Sequence, residues 1–189
     1  MVPPVIEITL PDWATTCVDW ERPYSTDEEK MGVAIEVARR NVLEGTGGPF
    51  GAAIFEEESG WLVSVGMNLV VAHNNCLLHG EMVAFMTAQA RVGSFTLCKP
   101  DLPAHTLATS CEPCAMCLGA TLWSGVSRVI TGATRDDAIA LRFDEGPVFP
   151  QSYAYLEERG VAFTRNVCRA EAAAVLELYR NRSGVIYNR

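Results

Sequence analysis

The sequence predicts an α/β protein in which helices cover both faces of a mixed β-sheet. Helical and strand patterns alternate along the chain after an opening pair of strands, which is typical of such a sheet. A chain of 189 residues with 49% hydrophobic residues can bury a substantial core. Because no linker-like stretch interrupts the alternation, we expect one domain over residues 1–189, with a lead-in at 1–24 and a C-terminal helix and tail at 168–189.

The first elements are a helix and a hairpin. Ser25 and Glu28 have the spacing of a capping box at a helix N-terminus. Apolar residues then recur at helical spacing, and Gly45 is a typical stop signal. The segments 51–55 and 61–72 are rich in strand-forming residues around the turn EEESG, so they predict two strands of a hairpin.

The rest of the chain alternates between helices and strands. We expect helices over 81–92, 114–123, 152–159 and 168–181, and strands over 105–110, 127–133 and 161–165. Strands separated by helices are joined by crossovers that place the helices against the sheet. This order therefore predicts a sheet covered on both faces.

Charge and composition exclude several classes of partner. The formal net charge of −8 repels phosphate backbones and anionic membrane surfaces at long range, so nucleic acid is disfavoured. The N-terminal segment has no basic leader, and no apolar run reaches the roughly 18 residues of a membrane helix. The 7 cysteines are odd in number and mostly scattered, unlike a disulfide framework. We expect a cytoplasmic protein.

The fragment CEPCAMC at 111–117 predicts a metal or redox site. Cys114 and Cys117 stand three apart at the start of a predicted helix, with Pro113 suited to the helix entry. Residues at this spacing share a helix face, so both sulfurs can point at one place. The helix dipole there favours thiolates, the form that binds metal. A thioredoxin-like redox pair and a third ligand from Cys111 stay open at this point.

A second fragment, LHGEM at 78–82, supplies a matching imidazole and carboxylate. If His79 lies at a helix entrance, with Gly80 loosening the backbone, then His79 and Glu81 can face one cavity. Imidazole with two thiolates suits Zn²⁺ and leaves one coordination position for solvent, whose pKa the metal lowers to about 7. A neighbouring carboxylate can then take a proton from that solvent. His73 and His105 are interpreted as ordinary core or surface histidines.

Together the two fragments resemble the zinc-site signature of the cytidine deaminase superfamily. HGE at 79–81 followed by PCAMC at 113–117 matches the pattern H-x-E…P-C-x-x-C. The resemblance extends from the first helix to about residue 165. It implies a three-layer α/β/α fold with a five-stranded sheet, in agreement with the element order. It also implies that Cys111 is not a ligand and packs or lies in the strand-to-helix turn.

The resemblance assigns roles within the signature. It implies that Zn²⁺ is held by His79, Cys114 and Cys117. Glu81 is then the residue that moves protons during catalysis, and Gly80 lies beside the substrate.

Two further stretches resemble parts of a base-binding pocket. GGPFGAAIF at 47–55 is similar to the strand entrance of the base and tRNA deaminase branch, where Phe50 would form part of the pocket. Asn68 resembles the asparagine with which these enzymes hold the ring edge of the substrate. A core aromatic and a strand-end turn former are the alternative interpretations of these two residues.

The segment 140–161 points to a particular substrate. It resembles bacterial guanine deaminases of this fold, including forms that accept the aminotriazine ammeline. In that likeness Phe143 stacks on the base and Glu145 binds its edge, as an ionised carboxylate accepts N–H donors. Aromatic stacking contributes about 1–3 kcal/mol per base. An exposed acidic turn before Pro147 is the alternative interpretation.

The sequence therefore predicts hydrolytic deamination of a free nucleobase, chiefly guanine to xanthine and ammonia, and also ammeline. Cytosine deaminase is the alternative, and tRNA adenosine deaminase a more distant one, because the chain is acidic and has no basic C-terminal helix. A non-catalytic zinc or redox domain is a rival of a different class. Glu145 does not by itself exclude a one-ring substrate.

The resemblance also implies a homodimer with possible exchange of C-terminal segments. The tail GVIYNR at 184–189 contains Tyr187, which would then cap the partner's pocket. Trp123, on the helix with the two cysteines, is interpreted as a dimer-interface or core residue.

Overall fold

The fold is described for residues 5–187 and comes from a computed structural model. Its five strands are β1 (Gly51–Glu56), β2 (Leu62–Met67), β3 (His105–Cys111), β4 (Arg128–Ala133) and β5 (Ala162–Thr164). Its α-helices are α1 (Asp27–Leu43), α2 (Val70–His73), α3 (Gly80–Val92), α4 (Ala115–Ser124), α5 (Arg135–Ala140), α6 (Pro150–Glu157) and α7 (Arg169–Asn181), with a 3-10 turn at Asp12–Thr15. No helix in this range is both long and apolar enough to cross a membrane.

The five strands form one mixed sheet in the order β2-β1-β3-β4-β5. β1 pairs antiparallel with β2 and with β3, while β3, β4 and β5 run parallel. In the centre of the sheet Ala53 lies opposite Val65 on one side and opposite Ala108 on the other. The predicted mixed five-stranded sheet is confirmed.

Helices pack on both faces of the sheet, which makes three layers. Ala53 belongs to a buried cluster that includes Val37 of α1. Its neighbour Ile54 belongs to a different cluster, with Phe85 of α3 and Leu118 of α4. Because successive strand residues point to opposite faces, α1 lies on one face and α3 and α4 lie on the other. α7 joins the α1 side and packs against α1 and β4.

A glycine in β2 lets the sheet approach the start of α3 closely. A Cβ on Gly66 would clash with the carbonyl oxygen of Gly80 and with the amide nitrogen of Ala84. Only a residue without a side chain fits at this contact. The first turn of α3 is therefore pressed directly on the sheet, next to the place where the site is built.

The capping box of α1 lies one residue later than predicted. Thr26, and not Ser25, is the N-cap, and it accepts a hydrogen bond from the Glu29 amide at 3.2 Å. The Glu29 carboxylate in turn accepts from the Thr26 amide at 3.2 Å. The prediction of a Ser25–Glu28 box is wrong because Glu29 also accepts from the Ser25 amide, which holds Ser25 outside the helix.

Two further elements differ from the prediction. The strand predicted over 61–72 ends at Met67, and its last residues form α2. The run VVA has strand propensity, but the chain turns because the Leu69 backbone amide donates to the Leu78 carbonyl at 2.9 Å and the Val70 backbone amide donates to Asn68 Oδ1 at 3.3 Å. Helix α5 was not predicted; it begins at a capping box of Thr134 with Asp137.

Candidate active site

The candidate site forms where the N-termini of α3 and α4 meet. His79 is the N-cap of α3 and Cys114 is the N-cap of α4, both in extended backbone conformation. Cys117 lies one turn into α4 and is fully buried. The Nδ1 atom of His79 is 3.5 Å from the Cys114 sulfur and 3.6 Å from the Cys117 sulfur. The structure thus brings together three residues that are far apart in sequence.

The cluster fits a tetrahedral zinc ion. The ligand atoms of His79, Cys114 and Cys117 all lie within 4.8 Å of one another. Zinc bonds of about 2.1 Å to nitrogen and about 2.3 Å to sulfur, at a tetrahedral angle, separate the two ligand atoms by about 3.6 Å. The nitrogen–sulfur distances match this value without any rearrangement. Three protein ligands are the number found in catalytic zinc sites.

The electrostatics of the cluster favour a metal-binding thiolate. A hydrogen bond from Cys117 outweighs burial and, with the help of His79, lowers the pKa of Cys114 to about 4. The same hydrogen bond and burial raise the pKa of Cys117 well above its usual range. Burial disfavours the charged form of His79, but the contact with Cys114 outweighs it and raises the His79 pKa. These contacts therefore favour the thiolate of Cys114, the form that binds metal.

Glu81 lies beside the cluster in the first turn of α3, and only 6% of its surface is exposed. Its Oε1 atom lies 3.2 Å from the Thr109 hydroxyl of β3, which shares its single proton between Glu81 and the Cys111 carbonyl oxygen at 3.0 Å. Burial and the nearby Cys114 thiolate raise the pKa of Glu81. Thr109 was missed in the sequence because a threonine inside a strand carries no signal of such a contact.

A second buried carboxylate comes from the loop after α5. Glu145 is 6% exposed, so the alternative of an exposed acidic turn is wrong. Its carbonyl oxygen accepts a hydrogen bond from the Ala115 amide at 2.9 Å, which ties the loop to the start of α4. Burial, followed by the negative charges of Cys114 and Glu81, raises the pKa of Glu145 to about 8. Two carboxyl groups thus surround the cluster.

Aromatic rings line the space next to these carboxylates. Phe143 is buried, and its ring centroid is 5.0 Å from that of Phe50 in an edge-to-face contact. Tyr187 contacts Phe143 at 5.1 Å and His79 at 6.4 Å, between ring centroids. Tyr179 completes the group, with its ring stacked at 6.2 Å from Phe143. Tyr187 therefore places the C-terminal tail next to the cluster.

Asn68 follows β2 directly and is completely buried. Its Oδ1 atom accepts from the Val70 amide at 3.3 Å, whereas its Nδ2 atom has no hydrogen-bond partner within residues 5–187. A Cβ placed on Gly48 would lie 2.5 Å from the Tyr187 hydroxyl and 3.1 Å from Asn68 Oδ1. The Asn68 amide and the tail tyrosine therefore approach the same place. An unpaired buried donor is costly, so this amide is suited to a ligand.

Gly80 presents only its backbone to the site. A Cβ there would meet the Phe50 carbonyl oxygen at 3.2 Å, so protein fills the side from which a side chain would project.

Cys111, at the end of β3, is buried and lies outside the three-residue cluster, with its sulfur 3.5 Å from the Thr134 carbonyl oxygen. Trp123 is 78% exposed, so the core interpretation is wrong for it.

Fold and cluster together define the class of a zinc-dependent hydrolase. The family model for the cytidine and deoxycytidylate deaminase zinc-binding region matches residues 24–133. The guanine deaminase of Bacillus subtilis (strain 168) is 33% identical over 148 residues, which is 78% of this chain and 90% of that protein. The chain belongs to the cytidine and deoxycytidylate deaminase zinc-binding family, as its sequence predicted.

Solved structures agree in fold over nearly the whole chain. The guanine deaminase of Nitrosomonas europaea is 37% identical with a TM-score of 0.90, and the match covers 96% of this chain and 99% of that one. A structure solved in complex with 2,6-diaminopurine is 40% identical, also with a TM-score of 0.90, and the match covers 96% of both chains. The predicted three-layer fold is confirmed.

Proposed function

We propose that this protein deaminates guanine to xanthine and ammonia, and that it also accepts ammeline. The observation that carries the proposal is the buried Glu145 beside a zinc-type cluster and a second carboxylate. Guanine presents several ring and amino N–H donors along one edge, which a carboxylate can accept. The similarity to two guanine deaminases over at least 78% of the chain supports this substrate above cytosine or tRNA adenosine.

The proposed chemistry divides between the metal and two carboxyl groups. Zn²⁺ held by His79, Cys114 and Cys117 would lower the pKa of a water molecule and so supply a nucleophile at neutral pH. Glu81 takes up the proton released and passes it to the ring nitrogen and the departing amine. The Thr109 hydroxyl holds one oxygen of Glu81, which leaves the other to face the reacting atoms. Such positioned proton transfer contributes about 10²- to 10⁴-fold.

Five residues are proposed to form the pocket for the base. Phe143 stacks on the ring and Phe50 supports Phe143 from the side, as their edge-to-face contact suggests. The unpaired Nδ2 atom of Asn68 donates to an acceptor on the purine, and the backbone of Gly80 borders the pocket. Glu145 accepts from the N–H edge of the base in its ionised form, which the positive charge of a bound Zn²⁺ would favour, and assists the second proton transfer.

The oligomer and location are proposed from surface features. We propose one deaminase domain that forms a homodimer, because Trp123 and Phe95 are 78% and 85% exposed. Large exposed aromatic side chains mark protein interfaces. A cytoplasmic location agrees with the cysteines, since all seven lie in the described range and none of them forms a disulfide.

A substrate panel tests the proposed function. We expect ammonia release from the zinc-loaded protein with guanine and, more slowly, with ammeline. We expect cytosine, cytidine and adenine to react at least about 100-fold less efficiently, because their rings leave buried polar groups of the site unpaired. We expect the same loss for guanosine, because its ribose replaces the N9–H donor and adds bulk at a buried site. Faster release from cytosine or adenine than from guanine would overturn the proposal.

Glu145→Gln should lower kcat/KM for guanine by about 100-fold, which corresponds to about 2.7 kcal/mol. The amide directs N–H groups at a substrate edge that also donates, so a hydrogen bond becomes a repulsive contact. Zinc content should stay at the parent value. Asp144→Asn is the matched control, because this neighbouring carboxylate is exposed and accepts a hydrogen bond from the Gly146 amide in its own loop. Equal losses in the two variants would show that loop charge alone matters.

Tyr187→Ala should raise KM for guanine by about tenfold, because a stacking aromatic contributes roughly 1–3 kcal/mol. Tyr187→Phe keeps the ring and should stay near the parent, since the Tyr187 hydroxyl has no hydrogen-bond partner within residues 5–187. If both variants match the parent, the tail does not cover the base.

Exchange of tails between two subunits stays a prediction that a mixing experiment decides. Chains carrying Tyr187→Ala keep Glu81 but lack the covering ring, while chains carrying Glu81→Gln keep the ring. In mixed dimers an exchanged tail would cover the competent site and restore a low KM. A KM that remains high in the mixture would show that each tail covers its own subunit.

A further inference from the structure

We propose that Asn41 is a positioning residue that fixes the base-binding Asn68, and that Thr46 fixes Asn41 in turn. The inference rests on the proposed function only in giving Asn68 a base to bind. Asn41 lies on α1, is completely buried, and belongs to neither the zinc-type cluster nor the aromatic group. Its contacts connect the end of α1 with the far side of the pocket.

Every hydrogen-bonding group of the Asn41 amide is used. Its Nδ2 atom donates to the carbonyl oxygens of Gly48 and Asn68, both at 2.8 Å. Its Oδ1 atom accepts from the Thr46 hydroxyl at 2.7 Å. A reversed amide would turn its oxygen towards two carbonyl oxygens and lose both hydrogen bonds. The Thr46 hydroxyl thus selects the orientation of the Asn41 amide in which Nδ2 faces the two carbonyl oxygens. The indole N–H of Trp13 donates to the same hydroxyl oxygen at 3.2 Å.

These bonds hold Asn68 at its backbone and leave its side chain available. The backbone N–H of Asn68 donates to the Phe50 carbonyl at 3.0 Å, and the backbone carbonyl of Asn68 accepts from the side-chain amide of Asn41. A Cβ on Gly47 would clash with the Asn68 carbonyl oxygen and would come 2.7 Å from Asn41 Nδ2. The glycine loop therefore crosses directly over this hydrogen bond. Because the Asn68 backbone is fixed on both sides, the direction of its unpaired Nδ2 atom is set by Asn41.

A purely structural role would also explain a buried, satisfied asparagine, and a double-mutant cycle separates the two. Asn41→Ala should raise KM for guanine by about 30- to 100-fold, since a displacement of about 1 Å can cost 10²-fold. Thr46→Val, which keeps the backbone bonds but frees the amide to turn, should raise KM by about fivefold. Both effects should fall below about twofold when Asn68 is already alanine, because coupled residues are not additive.

Thr87→Val is the matched control for Thr46→Val. It removes the same hydroxyl group, which in Thr87 bonds the Val83 carbonyl at 2.8 Å on the opposite face of the sheet. This variant should keep the parent KM in both backgrounds. Zinc content and thermal midpoint are measured for every variant, and Thr46→Val carries the test if Asn41→Ala does not fold.

The outcomes distinguish this inference from the proposed function. If Asn41→Ala and Thr46→Val raise KM by the same factor in the Asn68→Ala background as in the parent, Asn41 and Thr46 do not act through Asn68. The inference is then overturned. If the parent deaminates another base in place of guanine, the proposed function fails. The same cycle, measured with that base, still decides the role of Asn41.

Discussion

Replacing Glu81 by glutamine is expected to reduce turnover of guanine by about 10³-fold or more while the protein keeps its zinc. Glutamine cannot take up a proton, and positioned proton transfer contributes about 10²- to 10⁴-fold. The substitution preserves shape, and the amide oxygen can still accept the hydrogen bond that Thr109 donates at 3.2 Å. Ammonia release and zinc content per chain, measured on the same sample, separate the loss of chemistry from the loss of the metal.

Two comparisons sharpen this result. Glu81→Asp keeps a carboxylate but withdraws it by one methylene, so it should recover part of the activity that glutamine loses. Thr109→Val keeps Glu81 and removes only the hydroxyl that orients it, so its loss should be smaller, about tenfold. If the Glu81→Gln protein releases ammonia at the parent rate, Glu81 is not the group that transfers the proton.

The zinc-type cluster could be predicted because its geometry is encoded locally. The spacing of Cys114 and Cys117 places both on one turn of a helix, and a helix N-terminus favours thiolates. Gly80, directly after His79, favours a position for His79 at the start of a helix, and that helix is α3. Only the meeting of the two helix ends required the fold, and the resemblance to a known signature supplied that step.

The contacts that orient the site are not visible in the sequence. The bond from Asn41 to Asn68 spans 27 residues, and the bond from Thr109 to Glu81 spans 28. Polar residues of these kinds occupy helix surfaces and strand interiors in most proteins, so their partners depend on which elements pack together. The early end of β2 has the same cause, since tertiary bonds around Asn68 override the strand propensity of the VVA run.

The burial of Glu145 also depends on tertiary contacts. An Asp-Glu pair before a proline is normally exposed, and only the family resemblance suggested a role for it. In the fold the Arg135 guanidinium donates to the Gly146 carbonyl at 2.7 Å, and the Ala115 amide donates to the Glu145 carbonyl. The first bond ties the loop to α5 and the second ties it to the start of α4, and the carboxyl group lies inside.

Removal of the metal is expected to destabilise the protein as well as inactivate it. Without a cation, Cys114, Glu81 and Glu145 are buried close together, and burial followed by the negative charges of Cys114 and Glu81 raises the pKa of Glu145. A ligand that binds only the folded state adds about 4 kcal/mol at 1,000 times its dissociation constant. At about 2–4 °C per kcal/mol for a chain of this size, the thermal midpoint should fall by roughly 8–16 °C.

Cys117→Ser tests the same point without a chelator. We expect less than about a tenth of the parent zinc content, because the variant leaves only two of the three ligands that a catalytic zinc site uses. The thermal midpoint should then approach that of the chelated parent and should not respond to added zinc. Cys111→Ala is the matched control, since this thiol is equally buried but lies outside the cluster. It should keep one zinc per chain and at least half of the activity; loss of zinc in Cys111→Ala, or its retention in Cys117→Ser, would reassign the ligands.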